Sequence, residues 1–289
     1  MNVDVRRRFA PAVLLALAAV LVYLLGTPYA DGQFVQKITN ATTTAATPMF
    51  SCKANVAASA YFAYPLNEAS GTVVQDVSGS AHPGTYSATG VTYGTAGPCT
   101  RDGARAVTLN GTSGYLWSNA QVSNPQTFTE EVWFNTSTTT GGKLIGFGSQ
   151  STTPSLLFDR HVYMTNGATP SGGKLVFGVV PGIVPETITS PNGYNDGTWH
   201  LATATLAPSA SAQPGMRLYV DGVLVASRPA VTSAQSYAGY WRVGYDNLSG
   251  TWPTQPTSSY FAGKVAFAQV YTTALTAAQI LSQYGAGKP

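Results

Sequence analysis

Charge is what this chain has least of. Only 9% of its 289 residues are Asp, Glu, Lys or Arg, and there are three histidines and two cysteines. The net charge is +3, and the cluster Arg6-Arg7-Arg8 matches that whole excess. The rest is near neutral and carries no clustered basic stretch, which excludes a nucleic-acid partner. His82, His161 and His200 are far apart and have no metal-ligand spacing. No Gly-x-Ser-x-Gly elbow or phosphate-cradling glycine loop is present. Internal repeats and long amphipathic helical runs are also missing, which argues against solenoids and bundles.

What is present is strand. From Ala60 onwards, short apolar or alternating runs arrive at regular intervals, divided by Gly, Pro and Asn. They include Phe128–Asn135, Lys143–Gly148, Leu156–Tyr163, Lys174–Val180, Trp199–Leu206, Met216–Val220, Tyr240–Tyr245 and Phe261–Tyr271. Asp221-Gly222, between two apolar runs, is the preferred pair for a type I′ hairpin turn. Thr276-Ala277-Ala278-Gln279 matches a capping box, and Ile280, Leu281 and Tyr284 follow before Gly285, which predicts a short closing helix. The expected fold is all-β: a two-sheet antiparallel sandwich with an N-terminal hydrophobic helix and a short C-terminal helix.

After the three arginines, Phe9 to Ala30 carries no charge. This stretch is long enough to span a bilayer as a helix, with the arginines on the cytoplasmic side and the rest exported. A retained single-pass anchor is the expectation. A cleaved signal peptide is the alternative, although Pro28 stands where a small residue is wanted. The expected organisation is a signal or anchor over 1–30, a Thr/Ala-rich linker over 31–55 and a sandwich over 56–289. In an exported chain, an even cysteine count predicts a Cys52–Cys99 disulfide, worth roughly 4 kcal/mol if unstrained.

Asn195-Asp196-Gly197-Thr198-Trp199-His200, followed by Arg217-Leu218-Tyr219-Val220-Asp221-Gly222, resembles the laminin G-like family, a concanavalin A-like jelly roll. Tyr64-Pro65-Leu66-Asn67-Glu68, Asp76-Val77-Ser78-Gly79, Leu109-Asn110-Gly111, Phe128 to Phe134 and Phe261-Ala262-Gly263 match in the family's order. The resemblance spans roughly Tyr61 to Tyr284. It implies a rim calcium site, for which Asp159, Asp246 and Asn247 are the candidates. It also implies recognition of a glycan or an extracellular protein. One departure is the strand Lys264–Val270, which lacks the acids that relatives commonly carry there.

Of the twelve acids, turns and termini account for all but Glu130, Glu131, Asp159 and Asp246. Glu130 and Glu131 are adjacent on a strand and point to opposite faces. One is expected in solvent and the other inside. The Glu-x-Asp-x-x-Glu pattern of sandwich glycosidases is absent, so the expectation is a non-catalytic module, with a sandwich glycosidase or a structural envelope subunit as alternatives. Aromatics beside amides and hydroxyls suit sugar rings. This points to Tyr245, Asp246, Asn247, Trp252 and Tyr260 as ligand-binding residues, with Trp252 either exposed in a rim loop or plugging the end of the sandwich.

Overall fold

The computed structural model describes residues 60–99, 103–250 and 252–288, and the backbone alone of 39–40 and 43–44. Two units separate, Met1–Pro48 and Met49–Pro289. In the first, Thr39–Asn40 (β1) pairs antiparallel with Thr43–Thr44 (β2). The hydrophobic segment 9–30 and Cys52 lie outside the described residues. Cys99 is fully buried, its Sγ 3.7 Å from the Ala286 carbonyl oxygen. No helix among the described residues is long and apolar enough to cross a membrane.

The second unit is a sandwich of two antiparallel sheets. The first sheet contains β3 (Ala60–Tyr64), β6 (Val91–Ala96), β7 (Arg105–Asn110), β10 (Phe128–Asn135), β15 (Trp199–Ala207), β16 (Gly215–Val220), β17 (Val223–Arg228) and β19 (Ala262–Tyr271). Its order is β17-β16-β15-β10-β19-β7-β6, with β3 also paired to β19. The second sheet contains β4 (Val73–Val74), β5 (Gly84–Tyr86), β8 (Leu116–Ser118), β9 (Val122–Ser123), β11 (Gly142–Gly148), β12 (Phe158–Met164), β13 (Lys174–Val179), β14 (Glu186–Gly193) and β18 (Ala238–Val243). Its order is β14-β13-β12-β11-β18-β8-β5-β4, with β9 on β18. The strands predicted from the sequence form within a few residues of their expected ends. The short β4, β5 and β9 and the edge strand β6, interrupted by Gly94, went unread because they carry little apolar signal.

Alternation places one face of each strand in the core. Phe128, Val132 and Phe134 of β10 pack with Ala202, Ala204 and Leu206 of β15, and with Ile145, Phe147, Phe177 and Trp241 of the other sheet. The Asp221-Gly222 turn has φ of 53° and 79°, as a type I′ hairpin requires. The Asp221 carboxylate then clamps the neighbouring strand. It accepts from the Leu201 N–H at 2.9 Å and contacts His200 Nδ1 at 2.7 Å. Burial alone would lower the His200 pKa, but the Asp221 and Asp196 contacts outweigh it and the pKa rises.

The closing helix α1 (Ala277–Gly287) starts at Thr276 with both capping-box bonds made. It runs through Gly285, which was expected to end it, to a cap at Lys288. Its residues cover the outer face of the first sheet. Tyr284 stacks on Trp133 with centroids 5.7 Å apart, and Ile280 joins Ala60, Tyr219, Tyr271 and Leu275. This cover corrects the expectation for Glu130 and Glu131. They do point to opposite faces, but neither reaches solvent, and both are 0% exposed. Glu131 sits beneath the helix, accepting from Gln269 Nε2 at 2.9 Å and Thr203 Oγ1 at 3.3 Å. Glu130 points into the core, without a hydrogen-bond partner for either oxygen.

Burial pushes the Glu131 carboxyl up to about 8, against the opposing bonds from Thr203 and Tyr271. An unfolded glutamate titrates near 4.3. Between those values the folded protein holds a proton that the unfolded chain has lost, so stability falls as pH rises through that window. The Glu131 contribution to stability should therefore fall from about pH 5 to about pH 8, and Glu131→Gln should remove that component from the pH dependence of the melting temperature. Parallel thermal melts of the two proteins across that range check this, and identical slopes would count against it.

Candidate functional site

The outer face of the second sheet is crossed by one row of side chains. In register it reads Thr85, Trp117, Arg242, Gly146, His161 and Gly178. The row is notched where glycine stands. A Cβ on Gly178 would lie 2.4 Å from the Trp252 ring, and one on Gly146 would lie 2.3 Å from His161 Cβ. On Gly148, it would lie 2.0 Å from Asp246 Oδ2. These notches let the segment after Val243 lie flat on the sheet.

Of the two readings of Trp252, the structure takes the plug, and the ring is not available as a ligand-binding surface. It is 6% exposed and packs with Tyr163, Val176 and Leu248. Its ring centroid is 4.2 Å from that of His161. The Gly-Thr-Trp-Pro loop left both readings open in sequence; Gly178 on the sheet beneath leaves the socket for the ring. His161 is fully buried, and burial pushes its pKa well down, so it is neutral.

The calcium candidates are also engaged otherwise. Asp159 is 0% exposed and ion-paired with Arg160. It accepts from the Val180 and Gln235 N–H groups and from the Tyr237 hydroxyl at 2.9–3.0 Å. Asp246 is 0% exposed and faces Arg242 at 3.3 Å and Lys143 at 3.7 Å. Asn247 donates to the Ser155 carbonyl and accepts from the Ser249 N–H. Ca²⁺ needs six to eight oxygens. Each of these two carboxylates already faces a cation, so the three residues do not fit calcium. Among the described residues, no group of three or more His, Cys, Asp or Glu could hold a metal.

The two predicted tyrosines do come together. Tyr245 and Tyr260 stack with centroids 3.7 Å apart and planes 6° apart. Tyr115 lies 5.4 Å from Tyr245 and 5.4 Å from Trp117. All four rings are partly exposed. Arg242 lies between Tyr115 and Tyr245, 5.0 and 5.3 Å from their centroids, and donates to the Gln150 and Thr153 carbonyls. This clamp fixes the aromatic group in one geometry. Sequence reasoning missed Tyr115 and Trp117. Their Tyr-x-Trp alternation on a strand marked a shared face, yet nothing in sequence placed it beside Tyr245. A separate cleft of about 410 Å³ opens beside β10 and β19, lined by Thr108, Asn135, Thr136, Ser137, Thr138 and Lys264 among others.

Residues 109–281, well over half the chain, match the laminin G model of the concanavalin A-like lectin/glucanases superfamily. The chain belongs to that superfamily. No curated protein matches it. Solved structures with the same fold include domain 4 of an extracellular arabinanase from Geobacillus stearothermophilus, in complex with arabinotriose. It is 16% identical with a TM-score of 0.52, and the match covers 78% of this chain and 98% of that one. The receptor-binding domain of botulinum neurotoxin type G is 12% identical with a TM-score of 0.53, covering 78% and 51%. The binding domain of botulinum neurotoxin DC, in complex with SialylT, is 12% identical with a TM-score of 0.52, covering 80% and 52%. This chain thus spans about half the length of the toxin domains.

Because Trp252 fills a rigid socket, Trp252→Ala should cost about 3–5 kcal/mol of stability. Chemical denaturation of the variant checks the figure, and an unchanged midpoint would place the ring in solvent.

Proposed function

We propose that this chain is a non-catalytic glycan-recognition module, held outside the membrane by its N-terminal segment. The carrying observation is the clamped aromatic group Tyr115, Trp117, Tyr245 and Tyr260. Partly exposed rings in fixed orientation give a sugar's C–H face something to stack on. Neighbouring hydroxyls such as those of Tyr260 and Thr85 provide directional bonds. The glycan complexes of the arabinanase domain and the toxin domain support this choice of ligand class.

The carboxylates support the non-catalytic part. A glycosidase needs two acids flanking one bond, roughly 5–10 Å apart and reachable by substrate. Glu130, Glu131, Asp159 and Asp246 are all 0% exposed. Two face cations, one is under the helix and one is inside the core. The export reading rests on Arg6-Arg7-Arg8 and the apolar run behind it, and with it the Cys52–Cys99 bond.

The test is a glycan array probed with the purified protein. Binding to at least one glycan class is expected. Tyr260→Ala should weaken that binding by about 1–3 kcal/mol while leaving the melting temperature nearly unchanged. An array that stays silent with folded protein would reject the reading, as would turnover of a bound glycan.

A further inference from the structure

We propose that Lys143 and Asp246 are joined by an intramolecular amide bond between Lys143 Nζ and Asp246 Cγ. The two side chains are fully buried, with Nζ 3.7 Å from Oδ2. Neither of those atoms has a hydrogen-bond partner. A buried ion pair repays its desolvation only when its remaining donors and acceptors are satisfied, and here they are not. An amide removes both charges at once.

The surroundings suit the reaction. The other carboxylate oxygen, Oδ1, accepts from the Asn247 N–H at 2.8 Å, the Ser155 N–H at 3.0 Å and Arg242 Nη1 at 3.3 Å. Two backbone N–H groups and a guanidinium thus converge on the oxygen that becomes negative when Cγ is attacked, as in an oxyanion hole. Oδ2, facing the amine and otherwise unbound, is the oxygen free to leave. Burial, aided by Arg242, lowers the Lys143 pKa against the pull of Asp246, Glu130 and Asp159. That favours the neutral, nucleophilic amine.

The step balances within the pair. One proton passes from Nζ to Oδ2, giving an amine and a carboxylic acid. The amine lone pair attacks Cγ, and a tetrahedral centre forms with its charge on Oδ1. Oδ2 takes a second proton from nitrogen and departs as water, and the C–Oδ2 bond breaks as the carbonyl reforms. One ammonium and one carboxylate become one amide and one water, and no oxidant, reductant or activating group is needed. Exclusion of bulk water opposes hydrolysis. Afterwards Arg242 still has the Gln150 and Thr153 carbonyls and its two tyrosine faces.

The bond would staple the first strand turn of β11 to the segment that carries Tyr245, Trp252 and Tyr260. It does not depend on a glycan being the ligand. The test is a tryptic map of the folded, full-length protein. An acylated lysine resists trypsin, so residues 106–160 should remain one peptide, joined to 243–264 and lighter by one water than the two free chains. Fragment ions should place the link at Lys143 and Asp246. Asp246→Asn should form the identical amide by releasing ammonia, and its linked peptide should match the wild type in mass. Lys143→Arg should yield 243–264 free. Wild-type protein that is cleaved after Lys143 and releases free 243–264 would overturn the proposal. So would a link placed elsewhere.

Discussion

The arrangement of this molecule depends on a notch cut into one sheet by glycine. Gly146, Gly148 and Gly178 leave the outer face of the second sheet without side chains where Lys143, Asp246 and Trp252 come to rest. Any larger residue at Gly178 would meet the rigid indole, and at Gly146 it would meet the Cβ of His161. With the notch in place, residues 244–250 and 252–260 form a third layer on this face of the sheet. Its tryptophan fills the socket, its aspartate meets a lysine, and its two tyrosines stack on each other. Close packing makes such a layer sensitive to single atoms.

The two sheets are covered by different means, and the difference determines what remains available. The first sheet is roofed by α1, whose capping box sets its start and whose Tyr284 and Ile280 seal the face. The second is roofed by a loop whose Tyr245 and Tyr260 end against Tyr115, with ring centroids 5.4 and 6.3 Å away. A sheet face covered on both halves would present only rims to a ligand. Here the roof ends against an aromatic strand, so partly exposed rings from the loop and from the strand lie side by side.

How much of this could be read in the sequence follows from the range of each signal. The Asp221-Gly222 turn and the Thr276–Gln279 cap are local, and both stand where a few adjacent residues predict them. Strand alternation is also local, and it separated Glu130 from Glu131 correctly. Which face is then covered is a long-range matter. Nothing near Glu131 announces the helix that arrives from residue 277 onwards, and nothing near Trp252 announces Gly178. The exposure of Glu131 was misjudged, and that of Trp252 left open, for this same reason. A period of two assigns residues to faces, but it does not say what lies over each face. Tyr245 and Tyr260 could be paired because they border one loop, whereas Tyr115 and Trp117 could be added only through strand pairing.

Scarcity of charge sharpens the meaning of the charges that are buried. Lys143, Arg160, Arg242, Glu130, Glu131, Asp159 and Asp246 are all 0% exposed. A chain with so few ions has little reason to spend them on generic solubility inside its own core. Asp159 and Arg160 form a closed arrangement: the carboxylate is bound by Val180, Gln235 and Tyr237, and the guanidinium reaches the Pro125 carbonyl and lies over Phe147 and Tyr237. Lys143 and Asp246 are of the opposite kind. One carboxylate oxygen is fully satisfied, while the other and the amine are bound to nothing by hydrogen bonds. The same environment that completes one buried pair leaves the second incomplete at the two atoms that face each other. That asymmetry separates a structural ion pair from a site arranged for a bond to form.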